Sequence, residues 1–187
     1  MISLAQLWLP IVVSAVFVFV ASSLVHMVFK WHNSDYLKLG NEDEVRAALN
    51  KNKPAPGQYF VPHCADMKEM QSPEMQKKFV DGPVALVVVR ASGLPTMGKA
   101  LGQWFAWTVA VGVLVAYLAS KSLHPGDSLA HVARLTSIVA FLAYAGGSIQ
   151  AGIWMGKPWR SVAKEVLDGV IYGAVTAAAF GMLWPHA

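Results

Sequence analysis

One short segment of the chain combines side-chain types that bind soft metal ions. The set consists of an imidazole, a thiol and two thioethers, namely His63, Cys64, Met67 and Met70. These groups suit Cu(I) or zinc, and two methionines three residues apart share one face of a helix. The spacing does not complete a four-ligand site, however, and the chain has no second cysteine. Metal binding here is one hypothesis, and the alternative is that the methionines form the apolar stripe of a short helix.

A glycine-rich turn before the second apolar segment resembles a phosphate-binding loop. Residues 93–100 read GLPTMGKA and match the pattern G-x-x-x-x-G-K. The next residue is Ala100, where the motif needs a hydroxyl for magnesium, and the helix that follows is itself a membrane segment. Nucleotide is therefore not an expected ligand. We expect Lys99, together with Lys157 and Arg160, to lie near lipid headgroups instead.

Three polar side chains fall inside predicted membrane segments, namely His26, Gln150 and Asp168. Such groups are candidates for function because placing them in hydrocarbon is costly. All three fall within about two turns of one predicted boundary, where snorkelling and interhelical hydrogen bonds account for them. Asp168 near His26 is expected to form one pair between helices. A small oligomeric transporter stays open as an alternative, although no segment places an ionisable group at its centre.

The sequence contains no complete catalytic motif. There is no H-E-x-x-H, G-x-S-x-G or C-x-x-C pattern, and no histidine pair at haem-ligand spacing in mid-segment. We therefore expect a protein that is not an enzyme and carries no cofactor.

The composition is typical of a membrane protein. Apolar residues make up 55% of the 187 residues and charged residues only 14%, against roughly 25% charged in soluble proteins. Four nearly uncharged stretches have the length of about 20 residues that crosses a bilayer. They cover residues 4–29, 101–120, 135–155 and 166–184. The sequence thus predicts a first transmembrane helix within 1–29 and three more within 99–187, where short links make neighbours antiparallel.

The distribution of lysine and arginine predicts the orientation. Ten of the 15 basic residues fall between the first two segments, and three more lie around the last link. The positive-inside rule places both regions in the cytoplasm and both termini outside. The seven tryptophans all fall near a predicted boundary, as expected of indole rings at the headgroup level. The long loop also carries eight carboxylates, so nucleic acid is not an expected partner.

Residues 30–98 are predicted to form a small cytoplasmic α/β cap. Asn41 ahead of three acidic residues, and Ser72 ahead of Pro73, are typical helix starts. Residues 58–61 and 84–89 are rich in strand-forming side chains. A core this small gains from packing against the membrane or the bundle.

Small residues recur every four positions along the predicted helices. The last segment carries Gly169, Gly173, Ala177 and Gly181, and the second carries Gly102 and Ala106. Lipid supplies no hydrophobic force between helices, so their association depends on close backbone approach, which small side chains permit. The pattern predicts a tightly packed four-helix bundle, or a ridge left free for a protein partner or a second copy.

Three stretches resemble uncharacterised small four-span proteins of the bacterial inner membrane. They are residues 103–105 (QWF), 148–160 (SIQAGIWMGKPWR) and 168–185 (DGVIYGAVTAAAFGMLWP). The resemblance implies a four-span fold and the bacterial inner membrane, and it transfers no functional residue. We therefore expect a non-catalytic accessory or scaffold subunit that binds a partner through the cap or a small-residue helix face. A metal-binding membrane protein and a small transporter are the alternatives.

Overall fold

The computed structural model describes residues 2–186. In this range the chain forms four long apolar helices, with a small unit containing a two-stranded sheet between the first and the second. Each of the four is long and apolar enough to cross a membrane. The predicted all-α fold with a small α/β insert is confirmed, and the protein is a multi-pass membrane protein.

The first spanning helix is composite. A 3₁₀ turn at Leu4–Leu7 leads into α1 (Trp8–Ser23), which continues as a π-helical segment at Leu24–Val28. Lys30 then adopts a left-handed conformation with φ of 53° and turns the chain into a second 3₁₀ turn at Trp31–Asp35, which contacts the last helix. Single-turn π-helical segments frequently occur at functional sites, so this end of the bundle is a candidate location for one.

Three further long helices follow in the second half of the chain. They are α5 (Met97–Ser122), α6 (Leu129–Met155) and α7 (Trp159–Met182). Each begins about one to two turns earlier than the apolar stretch predicts, because the polar residues of the first turns continue the helix. Asp168 consequently lies about 14 Å along α7 from its start, at a rise of 1.5 Å per residue.

The helices approach one another closely where glycine removes a side chain. α6 and α7 form the largest contact, and α1 packs against both α5 and α7. A Cβ added at Gly169 would lie 2.6 Å from the Cβ of Ala145 on α6. A Cβ added at Gly112 of α5 would lie 3.2 Å from the carbonyl oxygen of Ile11. The core between these contacts includes Phe180, which is fully buried.

The link between α5 and α6 is fixed to the residues that follow α7. The Asp127 carboxylate accepts a hydrogen bond from the backbone N–H of His124 at 2.8 Å, and this bond lowers the pKa of Asp127. The Trp184 indole donates to the His124 carbonyl at 2.9 Å, and the Gly126 N–H donates to the Pro185 carbonyl at 2.9 Å. These bonds order the end of the bundle opposite to the π-helical segment.

Residues Lys38–Pro95 form a separate compact unit. It contains α2 (Glu42–Asn52), β1 (Gly57–Val61), α3 (Met67–Met70), α4 (Pro73–Asp81) and β2 (Ala85–Val89). The strands pair antiparallel with Tyr59 opposite Val87, and Ser72 caps α4 by accepting from the Met75 N–H at 3.2 Å. Of the range 30–98 predicted for the cap, residues 30–37 and 96–98 fall in the unit that contains the four long helices.

Candidate metal centre

Two histidines and an aspartate, His26, His32 and Asp168, meet near the end of the first spanning helix and about two and a half turns into α7. We call this region the polar end of the bundle. His26 comes from the π-helical segment, His32 from the 3₁₀ turn and Asp168 from α7. One potential ligand atom from each lies within 4.8 Å of those of the other two. Among residues 2–186, this is the one group of three or more His, Cys, Asp or Glu side chains with that geometry.

His32 lies between two carboxylates. Its Nε2 is 2.9 Å from Oδ2 of Asp168, and its Nδ1 is 2.8 Å from Oδ2 of Asp35. Asp168 is only 4% exposed. In metal-bound histidines, one ring nitrogen commonly donates to a carboxylate while the other binds the metal. His32 has this arrangement, with Asp35 as the orienting carboxylate and Asp168 on the side of the prospective ion.

Lys164 fixes the orienting carboxylate. Its Nζ donates to Oδ1 of Asp35 at 2.6 Å, to the Trp31 carbonyl at 2.7 Å and to the Ser34 hydroxyl at 2.8 Å. The hydrogen bond from Lys164, with a smaller contribution from His32, lowers the pKa of Asp35 to about 2. Asp35 is therefore an anion at neutral pH and holds a proton on Nδ1 of His32.

The hydrogen bond between His26 and Ser22 involves only one of the two ring nitrogens of His26. Its Nδ1 is 3.1 Å from the Ser22 carbonyl oxygen, and because a carbonyl only accepts, Nδ1 carries the proton. The Nε2 lone pair is then available to a cation. The ring stacks on that of His32, with centroids 4.6 Å apart and planes at 16°. The π-helical segment thus brings a second imidazole to the same point.

One oxygen of the Asp168 carboxylate lacks a hydrogen-bond partner among the described residues. Oδ1 of Asp168 is buried and makes no hydrogen bond with any described residue. A buried acceptor left unpaired costs free energy, so such atoms call for an explanation. A cation held between Asp168 and the two imidazoles supplies one.

A cavity of about 460 Å³ adjoins this cluster. It is lined by His26 and Asp168 and also by Trp104, Tyr144 and Tyr172. The three aromatic rings lie edge to face or tilted, with centroid separations of 6.0, 6.1 and 5.4 Å. The cavity thus combines a polar cluster with an aromatic wall, by which we mean Trp104, Tyr144 and Tyr172.

The structure brings together two of the three predicted intramembrane polar residues. His26 and Asp168 belong to the same cluster, although Asp168 bonds to His32 rather than to His26. Gln150 is exposed on α6 and does not line the cavity.

The predicted soft-metal segment lies in the unit Lys38–Pro95. The Cys64 thiol donates to the Asp66 carbonyl at 3.1 Å, and Met67 is exposed. His63 is also exposed, and Met70 is half-buried at the end of α3. Metal binding by these four side chains stays a prediction.

The predicted small-residue ridges have different surroundings. On α7, Gly169, Gly173 and Gly181 lie against α6, and Ala177 is buried. On α5, by contrast, Gly102 and Ala106 are exposed, and no described atom lies within 4 Å of a Cβ added at Gly102.

The three basic residues predicted to bind lipid headgroups differ in their exposure and in their ion pairs. Lys99 and Arg160 are exposed. The Lys157 ammonium instead bonds to the Glu165 carboxylate of α7. Lipid binding by the three stays a prediction.

Sequence analysis missed His32, Asp35 and Lys164. His32 and Asp35 lie just beyond an apolar segment, within the predicted loop. Lys164 lies beside a short link, where basic residues are common. Two spacings were available as signals: His32 and Asp35 are three residues apart, and Lys164 precedes Asp168 by one helical turn.

No protein-family model, no curated protein and no solved structure matches this chain. Its function is therefore inferred from the site itself, where two imidazoles and a carboxylate converge beside an aromatic cavity in a multi-pass membrane protein.

Proposed function

We propose that the protein binds a divalent transition-metal ion, with zinc as the reference ion, through Nε2 of His26, Nε2 of His32 and the carboxylate of Asp168. The observation that carries this proposal is the convergence of three ligand atoms, from three separate elements, within 4.8 Å. Imidazole and carboxylate are ordinary zinc ligands, and the set also suits other divalent first-row ions.

The distance between His32 and Asp168 requires little rearrangement on metal entry. Zinc bonds of about 2.0–2.2 Å at tetrahedral angles place ligand atoms about 3.3 Å apart. His32 Nε2 and Asp168 Oδ2 are 2.9 Å apart, whereas any ligand atoms of the cluster that lie as much as 4.8 Å apart must move closer. The ion takes the place of the hydrogen bond between His32 and Asp168, because metal ligands bind in their deprotonated form. Asp35 and Lys164 hold the imidazole of His32 in place during the exchange.

Three protein ligands leave a coordination position open. Structural zinc sites are usually closed by four protein ligands, whereas open positions are filled by water or by a bound molecule. The adjoining cavity gives such a molecule room. We propose binding at this site and no catalytic step.

Substituting asparagine for Asp35 tests the orienting role of that carboxylate. Asp35→Asn removes the charge that holds the proton on His32 Nδ1, so the zinc dissociation constant is expected to rise by about 10- to 100-fold. Competition with a chromophoric chelator, on purified protein in detergent, measures it. Asp43→Asn is the control because Asp43 is almost fully exposed on α2. Equal zinc affinities for the two variants would show that Asp35 does not orient His32 for metal binding.

A role as an accessory or scaffold subunit is the second candidate function, and the exposed ridge of α5 favours it. Gly102 and Ala106 leave a face on which another helix can approach closely. We propose a second copy of this chain as the occupant, because two identical small-residue faces can pack against each other in a symmetric contact. Gly102→Leu should then convert a dimer into a monomer, as measured by the mass of the protein in nanodiscs. A wild-type protein that is already monomeric contradicts this candidate.

The location that best fits the charge distribution is a bacterial inner membrane, with residues 30–98 in the cytoplasm and both termini outside. The resemblance noted above supports the same compartment. Cys64, the single cysteine, permits a direct test. A membrane-impermeant maleimide should label Cys64 in inverted vesicles and leave it unlabelled in intact spheroplasts. The reverse pattern would invert the topology.

A further inference from the structure

The cavity at the polar end has the size and position of a small-molecule site. Its volume of about 460 Å³ falls in the range of about 300–1,000 Å³ that is usual for ligand pockets. It reaches from His26, near the end of the first spanning helix, to Tyr172, near the middle of α7. A compound of one or two rings fits this space.

The aromatic wall is held in a fixed geometry. The Trp104 indole N–H donates to the Ser22 hydroxyl at 2.8 Å, which anchors the ring to α1. Tyr144 and Tyr172 pack against Trp104 and against each other. Ring faces and edges of this kind favour a planar partner in offset or edge-to-face contact.

The wall also contains a polar group that lacks a partner. Tyr172 is 4% exposed, and its hydroxyl makes no hydrogen bond to the described part of the chain. A phenol needs an acceptor when buried. A carbonyl oxygen on a bound ring provides one after a small adjustment of the side chain.

Three exposed apolar side chains line the cavity. Met27 and Met97 are 58% and 64% exposed, and Leu101 is 36% exposed. All three belong to helices that are long and apolar enough to cross the membrane, and Met27 and Met97 lie at the ends of those helices. A ligand that passes between them enters from the edge of the bilayer and must be soluble in lipid.

The charges around the cavity disfavour an anion. The carboxylates of Asp168 and Glu165 both line it, and the Lys157 ammonium is paired with Glu165. A phosphate or carboxylate headgroup would meet like charges at short range. An anionic ligand is therefore disfavoured, and entry past the three exposed apolar side chains favours an uncharged ligand over a cation.

From these features we infer that the cavity binds an uncharged, lipid-soluble planar ring with a carbonyl acceptor, of the quinone type. The ring packs against Trp104 and Tyr144, and a carbonyl oxygen accepts from the Tyr172 hydroxyl. This inference goes beyond metal binding and does not depend on it. The two sites adjoin each other, since His26 and Asp168, two of the three proposed metal ligands, also line the cavity.

The test uses the full-length protein in nanodiscs of zwitterionic lipid, with menadione as the probe. A photoreactive azidonaphthoquinone should label peptides of α5, α6 or α7 saturably, and menadione should compete. Trp104→Leu should weaken competition by tenfold or more, because the ring contact is lost. Tyr172→Phe keeps the shape of the side chain and should weaken competition about fivefold by loss of one hydrogen bond.

The chain offers matched controls on exposed faces. Trp107→Leu and Tyr117→Phe make the same chemical changes at exposed positions outside the cavity lining, and menadione affinity should be unchanged. Labelling that does not saturate would overturn the inference, as would equal affinities for the cavity variants and their controls. If Trp104→Leu does not fold, Tyr172→Phe and the mapped labelling positions still decide the matter.

Zinc and menadione are measured separately on each variant, so that the two proposals fail separately. Trp104→Leu should bind zinc as wild type does, and His32→Ala should still bind menadione. A protein that binds zinc but not menadione would contradict the quinone-type site and leave the metal site standing. A protein that binds menadione but not zinc would contradict only the proposed metal site.

Discussion

Substitution of His32 by alanine should raise the zinc dissociation constant at least 100-fold. The change removes one of three ligands and also separates Asp35 from the site that it orients. Loss of an orienting partner alone costs about 10- to 100-fold in metal affinity, so loss of the ligand itself should cost more. Competition titration of the purified protein against a chromophoric chelator gives the constant directly. Asp168→Asn, which keeps the side-chain shape, should behave in the same way.

His63→Ala is the matched control for this experiment. It removes an imidazole from the other predicted metal-binding segment, in the separate unit Lys38–Pro95, so zinc affinity should stay at the wild-type value. If His63→Ala releases zinc and His32→Ala does not, the ion belongs to the segment containing Cys64. That outcome would refute the site at the polar end.

Gly169→Ala should destabilise the bundle by about 1–3 kcal/mol, the usual penalty for overpacking a tight contact. The added methyl carbon would lie 2.6 Å from the Cβ of Ala145, and it would also crowd the Ala145 backbone, so α6 and α7 must separate. Thermal unfolding in detergent, followed by circular dichroism, measures the change. Because Asp168 precedes Gly169 directly, zinc affinity should fall as well.

Gly102→Ala is the same chemical change at a position where no described atom of the same chain lies within 4 Å of the added Cβ, and its stability is compared in detergent on the monomeric protein. It should be neutral, or stabilising by up to about 1 kcal/mol through the higher helix propensity of alanine. Ala145→Gly in the Gly169→Ala background should recover stability, because it removes the methyl group that the new one meets. Equal destabilisation by Gly169→Ala and Gly102→Ala would show that close packing at Gly169 is not what holds α7 to α6.

The architecture could be predicted because it follows from composition along the chain. Uncharged stretches of bilayer length mark the four helices, and Ser72 with Pro73 marks the start of α4. The glycine ridges were less informative. Gly169 and Gly102 lie in the same four-residue pattern, yet one faces α6 and the other is exposed. Spacing identifies a face of a helix but not the neighbour that the face meets.

The candidate site could be predicted only in part. His26 and Asp168 were noticed because ionisable residues are rare in apolar segments. His32 was not, because its position next to Asp168 depends on the reversal at Lys30 and on contacts across 136 residues of sequence. Tyr144 and Tyr172 lie within apolar segments, and their convergence on Trp104 depends on the rotation of three helices about their axes.

X-ray absorption at the zinc edge, on wild-type protein purified with one equivalent of zinc, tests the central claim most directly. The account predicts nitrogen and oxygen ligands at about 2.0–2.1 Å with imidazole scattering and no sulfur. A sulfur shell at about 2.3 Å would assign the metal to Cys64 and its neighbours. A protein that retains no zinc would contradict metal binding altogether.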